Sequence, residues 1–124
     1  MEKVQKYSQH FRIDMPELLN RVDNDRELVH DLLTIFKEEF PRHLQALHDA
    51  VTSQDMTQTR VVSHTLKGML SNLSITGAAA AAVRLEQLAH DGAKESLQDA
   101  FTAFELQVQG LLPEMETHMA EVRR

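Results

Sequence analysis

From Arg26 to about Ser53, apolar residues return at every third or fourth position, and this rhythm most restricts what the chain can become. Leu28, Val29, Leu32, Leu33, Phe36 and Phe40 share one face of a helix, and Leu44, Leu47 and Val51 continue it. Such a long one-sided stripe must be buried against other helices. The chain offers little to make a turn-rich β fold, with four glycines and three prolines in 124 residues. Pro41 removes an internal hydrogen bond and is expected to kink or restart the helix near Lys37.

The remaining segments follow the same period. Asp14 can cap a short helix carrying Leu18, Leu19 and Val22, with Pro16 in its first turn and Glu17 three residues after the Asp. The cluster Asp23-Asn24-Asp25 is a break, and Asn24 with Glu27 forms the next capping box. Asp55 caps a helix over residues 57 to 73. Thr76 is expected to cap the next, which runs through Ala78 to Ala82 to about His90 and ends at Asp91-Gly92. A last helix from about Lys94 carries Leu97, Phe101, Phe104, Val108, Leu111, Leu112, Met115, Met119 and Val122, and Pro113 should bend it.

These segments imply an all-α fold, an antiparallel four-helix bundle over residues 14–124. Residues 1–13, with Val4, Tyr7 and Phe11 at helical spacing, form a tail or a short additional N-terminal helix. One hundred and twenty-four residues suffice for one domain with its own core. Without cysteine there are no disulfides or thiolate metal sites. No apolar run approaches the roughly 20 residues of a membrane span. The net charge of −6 argues against general nucleic-acid binding. A soluble, cytoplasmic domain is expected.

One stretch departs from scaffold logic. On a wheel of roughly 100° per residue, Val62, Leu66, Met69, Leu70 and Leu73 gather on one face of the helix over residues 57 to 73. Arg60, His64, Gly68 and Ser71 fall near the opposite side, with Lys67 beside them, so the His64 imidazole should stand in water. Lys67 and Gly68 follow at the spacings of helical neighbours. Glycine inside a helix costs about 1 kcal/mol relative to alanine. No core contact repays that cost on a solvent face, whereas close approach by another molecule would use it. Lys67 and Arg60 place positive charge where an anion on the ring would sit, and a neutral imidazole is a competent nucleophile.

The run His64-Thr65-Leu66-Lys67-Gly68, followed by Asn72-Leu73, resembles the His-x-x-Lys-Gly signature of histidine-containing phosphotransfer (HPt) domains. The likeness extends over Phe11 to Leu47, similar to the family's opening short helix, acidic turn and long Leu/Phe-rich helix, and over Val83 to Leu88, similar to its following helix. Two positions depart from the pattern. Ser63 stands where alanine is frequent. Ser74 stands where glycine commonly follows Asn-Leu, and is expected to shift the helix end. The resemblance implies a four-helix bundle with an exposed acceptor histidine, His64, that takes a phosphoryl group from a receiver-domain aspartate and passes it to another receiver. Lys67 would offset charge on the phosphoryl oxygens. Arg60, Val61, Thr65, Gly68 and Ser71 would form the docking face, with Val61 as its apolar element.

The implied partners are response-regulator receiver domains, those of hybrid histidine kinases included, and a monomer is the expected state. Such a domain is a phosphocarrier and not an enzyme. It has no intrinsic cofactor, because the receiver brings Mg²⁺ and the acidic residues that hold it.

The same residues bear on other readings. None of the seven histidines pairs with another at the spacing of a helical chelate. Glu27-Leu28-Val29-His30 is a single Glu-x-x-His unit where a di-metal bundle needs two and further glutamates, so no metal site is expected. His43 reads as a partly buried histidine bonded to a backbone carbonyl. A histidine-kinase dimerisation helix has an acidic residue after its histidine and a Thr-Pro soon after that. Here Thr65 follows, and no proline comes until Pro113. The alternatives that stand are a helical adaptor that never carries phosphate and an acceptor domain fed directly by a kinase.

Overall fold

Each of the first four helices ends on the same backbone device, in which a left-handed turn leads the chain directly into the next helix. The computed structural model describes residues 12–123. Among them are six helices and no strand: α1 Met15–Arg21, α2 Arg26–Thr52, α3 Met56–Asn72, α4 Thr76–His90, α5 Lys94–Val108 and α6 Leu111–Val122. After α1 the Asn24 N–H donates to the Leu19 carbonyl at 2.7 Å, and after α2 the Asp55 N–H donates to Ala50 at 2.9 Å. Ile75 to Leu70 and Ala93 to Leu88, both at 3.0 Å, repeat the pattern after α3 and α4. These are Schellman closures. Asn24, at φ 61°, follows Asp23 in the left-handed region, and the residues that close the four helices are Asp23, Gln54, Ser74 and Gly92, with φ of 54°, 58°, 58° and 70°. Only the last is the glycine that such a position favours.

The caps show where local chemistry starts the helices. Asp14, Asp25 and Asp55 each accept from the backbone N–H three residues on, at 3.1, 3.0 and 3.0 Å. The α2 cap is therefore Asp25, not Asn24, because Asn24 is spent on the turn at φ 61°. Thr76 does not cap α4: it is the first helical residue, Ile75 holds the cap position, and no side chain bonds there.

Pro41 and Pro113 leave different marks on their helices. α2 runs unbroken through Pro41. The last helix, by contrast, parts at Gln109-Gly110, ahead of Pro113. Proline lacks the N–H that would reach the carbonyl four residues back, and its ring clashes with that carbonyl. For Pro113 that carbonyl belongs to Gln109, so the break falls one turn upstream.

One hydrophobic core joins all six helices. Val29, Leu33, Phe36, Phe40, Leu47 and Val51 form the buried stripe of α2, and Phe36 stacks on Phe40 with ring centroids 4.7 Å apart. Leu28, about 100° round the helix from Val29, is turned to solvent instead of sharing that face. Phe101 and Phe104 enter from α5 and Met115 from α6. α2 packs against α3, α5 and α6, and α3 makes its most extensive contact with α4. Buried alanines 78, 79, 82 and 89 on α4 permit that close approach. Within the segment read as a tail, Ile13 is buried in this core; residues 1–11 lie outside the described residues. No described helix is long and apolar enough to cross a membrane.

Candidate functional site

α3 buries a wider face than its apolar residues alone define. Thr59 and Ser63 are fully buried along with Val62, Leu66 and Leu70. Thr59 satisfies its hydroxyl by donating to the Asp55 carbonyl at 2.8 Å, but the Ser63 Oγ has no hydrogen-bond partner. The Ser63 side chain is therefore sealed against the core with its hydroxyl unpaired. His64, one residue on, is rotated clear of that face and keeps 65% of its side chain exposed.

The tight α3–α4 contact brings a residue that the sequence pattern does not single out. Glu86 lies on the edge of α4, one residue past buried Leu85, and its Oε2 is 3.4 Å from His64 Nδ1. This is ion-pair distance. Among the described residues the other ring nitrogen, Nε2, has no protein partner. His64, Thr57, Arg60, Val61, Thr65 and Glu86 line a shallow depression of about 430 Å³. A smaller one of about 260 Å³ shares Arg60 and Glu86 and adds Val83, Gln87 and His90. A cavity of about 650 Å³, lined from α5 and α6 with Arg12, shares no residue with either.

The predicted residues sort plainly. Arg60, Val61, Thr65 and Ser71 are exposed, and Lys67 and Gly68 are half-buried. Among the described residues neither Lys67 nor Arg60 lies within 4 Å of a carboxylate, so both cations are available to an incoming anion. A Cβ built on Gly68 would meet nothing within 4 Å, so no internal contact demands a glycine there. Thr65 donates back to the Val61 carbonyl at 3.2 Å. The Ser71 carbonyl accepts from Arg21 at 3.0 Å, which ties that end of the face to α1. Val61 is 55% exposed, and Val83 on α4, 46% exposed, adds an apolar element that the sequence pattern does not reveal.

Other histidines pair without forming a site. His43 Nε2 faces Glu39 at 3.9 Å and not the expected backbone carbonyl. His48 lies 3.3 Å from Glu105, and His118 sits 3.1 Å from Glu114. Among the described residues no three His, Asp or Glu side chains come together as a metal set.

The described residues form a helical bundle that holds the His64 imidazole in the open, with Lys67 and Gly68 three and four residues further along the same helix. The sequence matches the Hpt domain family over residues 31–124, and the chain belongs to that family. Domains of this family are phosphocarriers of two-component signalling, transferring phosphoryl groups through histidine. Comparison with curated proteins and with solved structures yields no match.

Proposed function

We propose that this domain relays phosphoryl groups between receiver domains, with His64 as the acceptor, on an antiparallel four-helix frame. The observation that carries the reading is the exposed His64 ring with Glu86 at Nδ1 and nothing at Nε2. A carboxylate beside Nδ1 favours the tautomer with its proton there, which leaves the Nε2 lone pair free as nucleophile. Nε2 attacks the phosphorus of the receiver's aspartyl phosphate in line, and the P–O bond electrons leave on the aspartate. Lys67 offsets charge on the phosphoryl oxygens as they arrive, and Arg60 adds a more solvent-screened contribution. Mg²⁺ and its carboxylates belong to the receiver. Val61 and Val83 supply the apolar part of the docking face, and Gly68 leaves room for the receiver backbone.

The test is incubation with receivers charged by acetyl phosphate, followed by assay for an acid-labile, base-stable adduct. Labelling of the native chain and none of a folded His64→Gln variant supports the proposal. Label on His64→Gln would place the acceptor elsewhere. Receiver binding with no adduct would favour an adaptor, and label arriving only from an ATP-charged kinase would favour a kinase-fed acceptor.

A further inference from the structure

We infer that Glu86 sets the lifetime and donor strength of the phosphorylated state by keeping a proton on His64 Nδ1 after the phosphoryl group has reached Nε2. The inference rests on the phosphotransfer reading and extends it to the fate of the phosphorylated ring.

Two forms of that ring differ by one proton. Attack by Nε2 forms the P–N bond while Nδ1 still holds its hydrogen, so the first product is a phosphoimidazolium cation. Loss of the Nδ1 proton to water gives a second form, with a neutral ring and a bare lone pair at Nδ1. The two differ as donors. Onward transfer, or hydrolysis, breaks the P–N bond and returns its electron pair to Nε2. From the protonated form the leaving group is neutral imidazole; from the other it is imidazolate, a far poorer one. Whatever holds hydrogen on Nδ1 therefore keeps the phosphoryl group transferable and short-lived.

The groups around the ring can be sorted by which form they favour. Glu86 Oε2, 3.4 Å from Nδ1, attracts an N–H and repels a bare lone pair. It is the one carboxylate among the residues lining the depression. From α3, Arg60 and Lys67 oppose a cationic ring, but once the phosphoryl group is present its oxygens are their nearer partners. From α4, His90 lines the adjoining depression with Glu86 but not the one at the ring. No titratable residue of α2 lines either depression. Glutamine at position 86 would reverse the preference, since its amide N–H₂ can donate to a bare Nδ1. Glu86 acts through the imidazole and so is a positioning residue. Because the pair is partly exposed, a change of about two- to fivefold is the appropriate scale.

The experiment phosphorylates the full chain and its Glu86→Gln variant with phosphoramidate, which needs no receiver, and follows loss of phosphohistidine by ³¹P NMR from pH 5 to 9. Circular dichroism checks that the variant keeps its helix content. The fast-decay regime of the native chain should extend to higher pH than that of Glu86→Gln. Near pH 7.5 the variant should decay about two- to fivefold more slowly. Superimposable pH profiles, or a variant slowed by one factor at every pH as a merely structural residue would give, overturn the inference. Refusal of His64 to take label from any charged receiver overturns instead the relay reading, so the two failures are separable.

Discussion

Arg21 of α1 donates from one guanidinium nitrogen to Ser74, the left-handed residue that closes the His64 helix. The distance to Ser74 Oγ is 3.0 Å, and the same nitrogen reaches the Ser71 carbonyl at 3.0 Å. Ser74 itself is buried at φ 58°. A non-glycine residue in the left-handed region costs about 1–2 kcal/mol, and the hydrogen bond from Arg21 offsets part of that.

A double-mutant cycle can separate these two effects. Ser74→Gly relieves the backbone but loses the acceptor, so in the native background its gain should be small, within about 0.5 kcal/mol of zero. In an Arg21→Ala background only the relief remains, and the same change should stabilise by about 1 kcal/mol. Urea unfolding of the four proteins measures the coupling. Equal effects in both backgrounds would show that the Arg21 contact contributes nothing.

Ser63→Ala should raise stability. The hydroxyl is sealed from water without a partner, and an unsatisfied buried group of this kind costs about 1–3 kcal/mol. Its removal leaves a methyl in an apolar slot and should raise the thermal midpoint by a few degrees, while His64 next to it keeps its exposure and its labelling. A lower midpoint would mean that the hydroxyl is satisfied in solution.

Lys37 and Glu116 join α2 to α6 through a 2.8 Å ion pair. The hydrogen bond from Lys37, followed by its charge, holds the Glu116 carboxyl below its ordinary value of 4.5. A group lowered on folding contributes stability above its unfolded value, and loses it as pH falls through the folded one. Glu116→Gln should therefore lower the thermal midpoint slightly at neutral pH and low salt. The gap should close in acid and also at high ionic strength. A gap that widens in acid would contradict the pairing.

Lys67→Ala should slow transfer more than it weakens docking. Lys67 is half-buried and free of carboxylates among the described residues, so its charge is available for the proposed contact with the phosphoryl oxygens. Losing it removes stabilisation of charge that gathers during transfer, worth about tenfold or more in rate even where solvent screens it. Single-turnover rates against receiver concentration separate the limiting rate from the half-saturation point. A change confined to half-saturation would make Lys67 a docking residue only.

The exposure of His64 was legible because helical period alone fixes it: Leu66 and Val62 point in, so residue 64 points out. The burial of Ser63 and Thr59 was not, since a pattern of apolar and polar residues assigns hydroxyls to the outside. Glu86 could not be read beside His64 from spacing, because the two meet only through the packing of two helices. Its faint trace is that Ala79, Val83, Glu86 and His90 form one stripe along the edge of the alanine face. The helix ends followed the same divide. Asp91-Gly92 announced a left-handed turn, whereas Asp23, Gln54 and Ser74 adopt that conformation with side chains that do not advertise it. α3 ends with Asn72 as its last residue and Leu73 as cap, and Ser74 takes the left-handed position after it. The Schellman hydrogen bonds, and not the residue type, decide that boundary.

Gly68→Ala sets stability against function at one atom. The position lies inside α3, where glycine is about 1 kcal/mol less favourable than alanine, and an added Cβ meets no protein atom within 4 Å. The variant should therefore be more stable, by a few degrees in thermal midpoint. Its methyl group would nevertheless stand on the face beside His64 and Lys67, where the proposed docking brings the receiver backbone close. Transfer from a charged receiver should fall through weaker docking, while labelling by phosphoramidate, a small donor that needs no such approach, should be unchanged. Loss with both donors would mean that the methyl disturbs the imidazole itself. Full activity with both would leave the glycine without a role in receiver approach, and the bare backbone beside His64 would then be incidental.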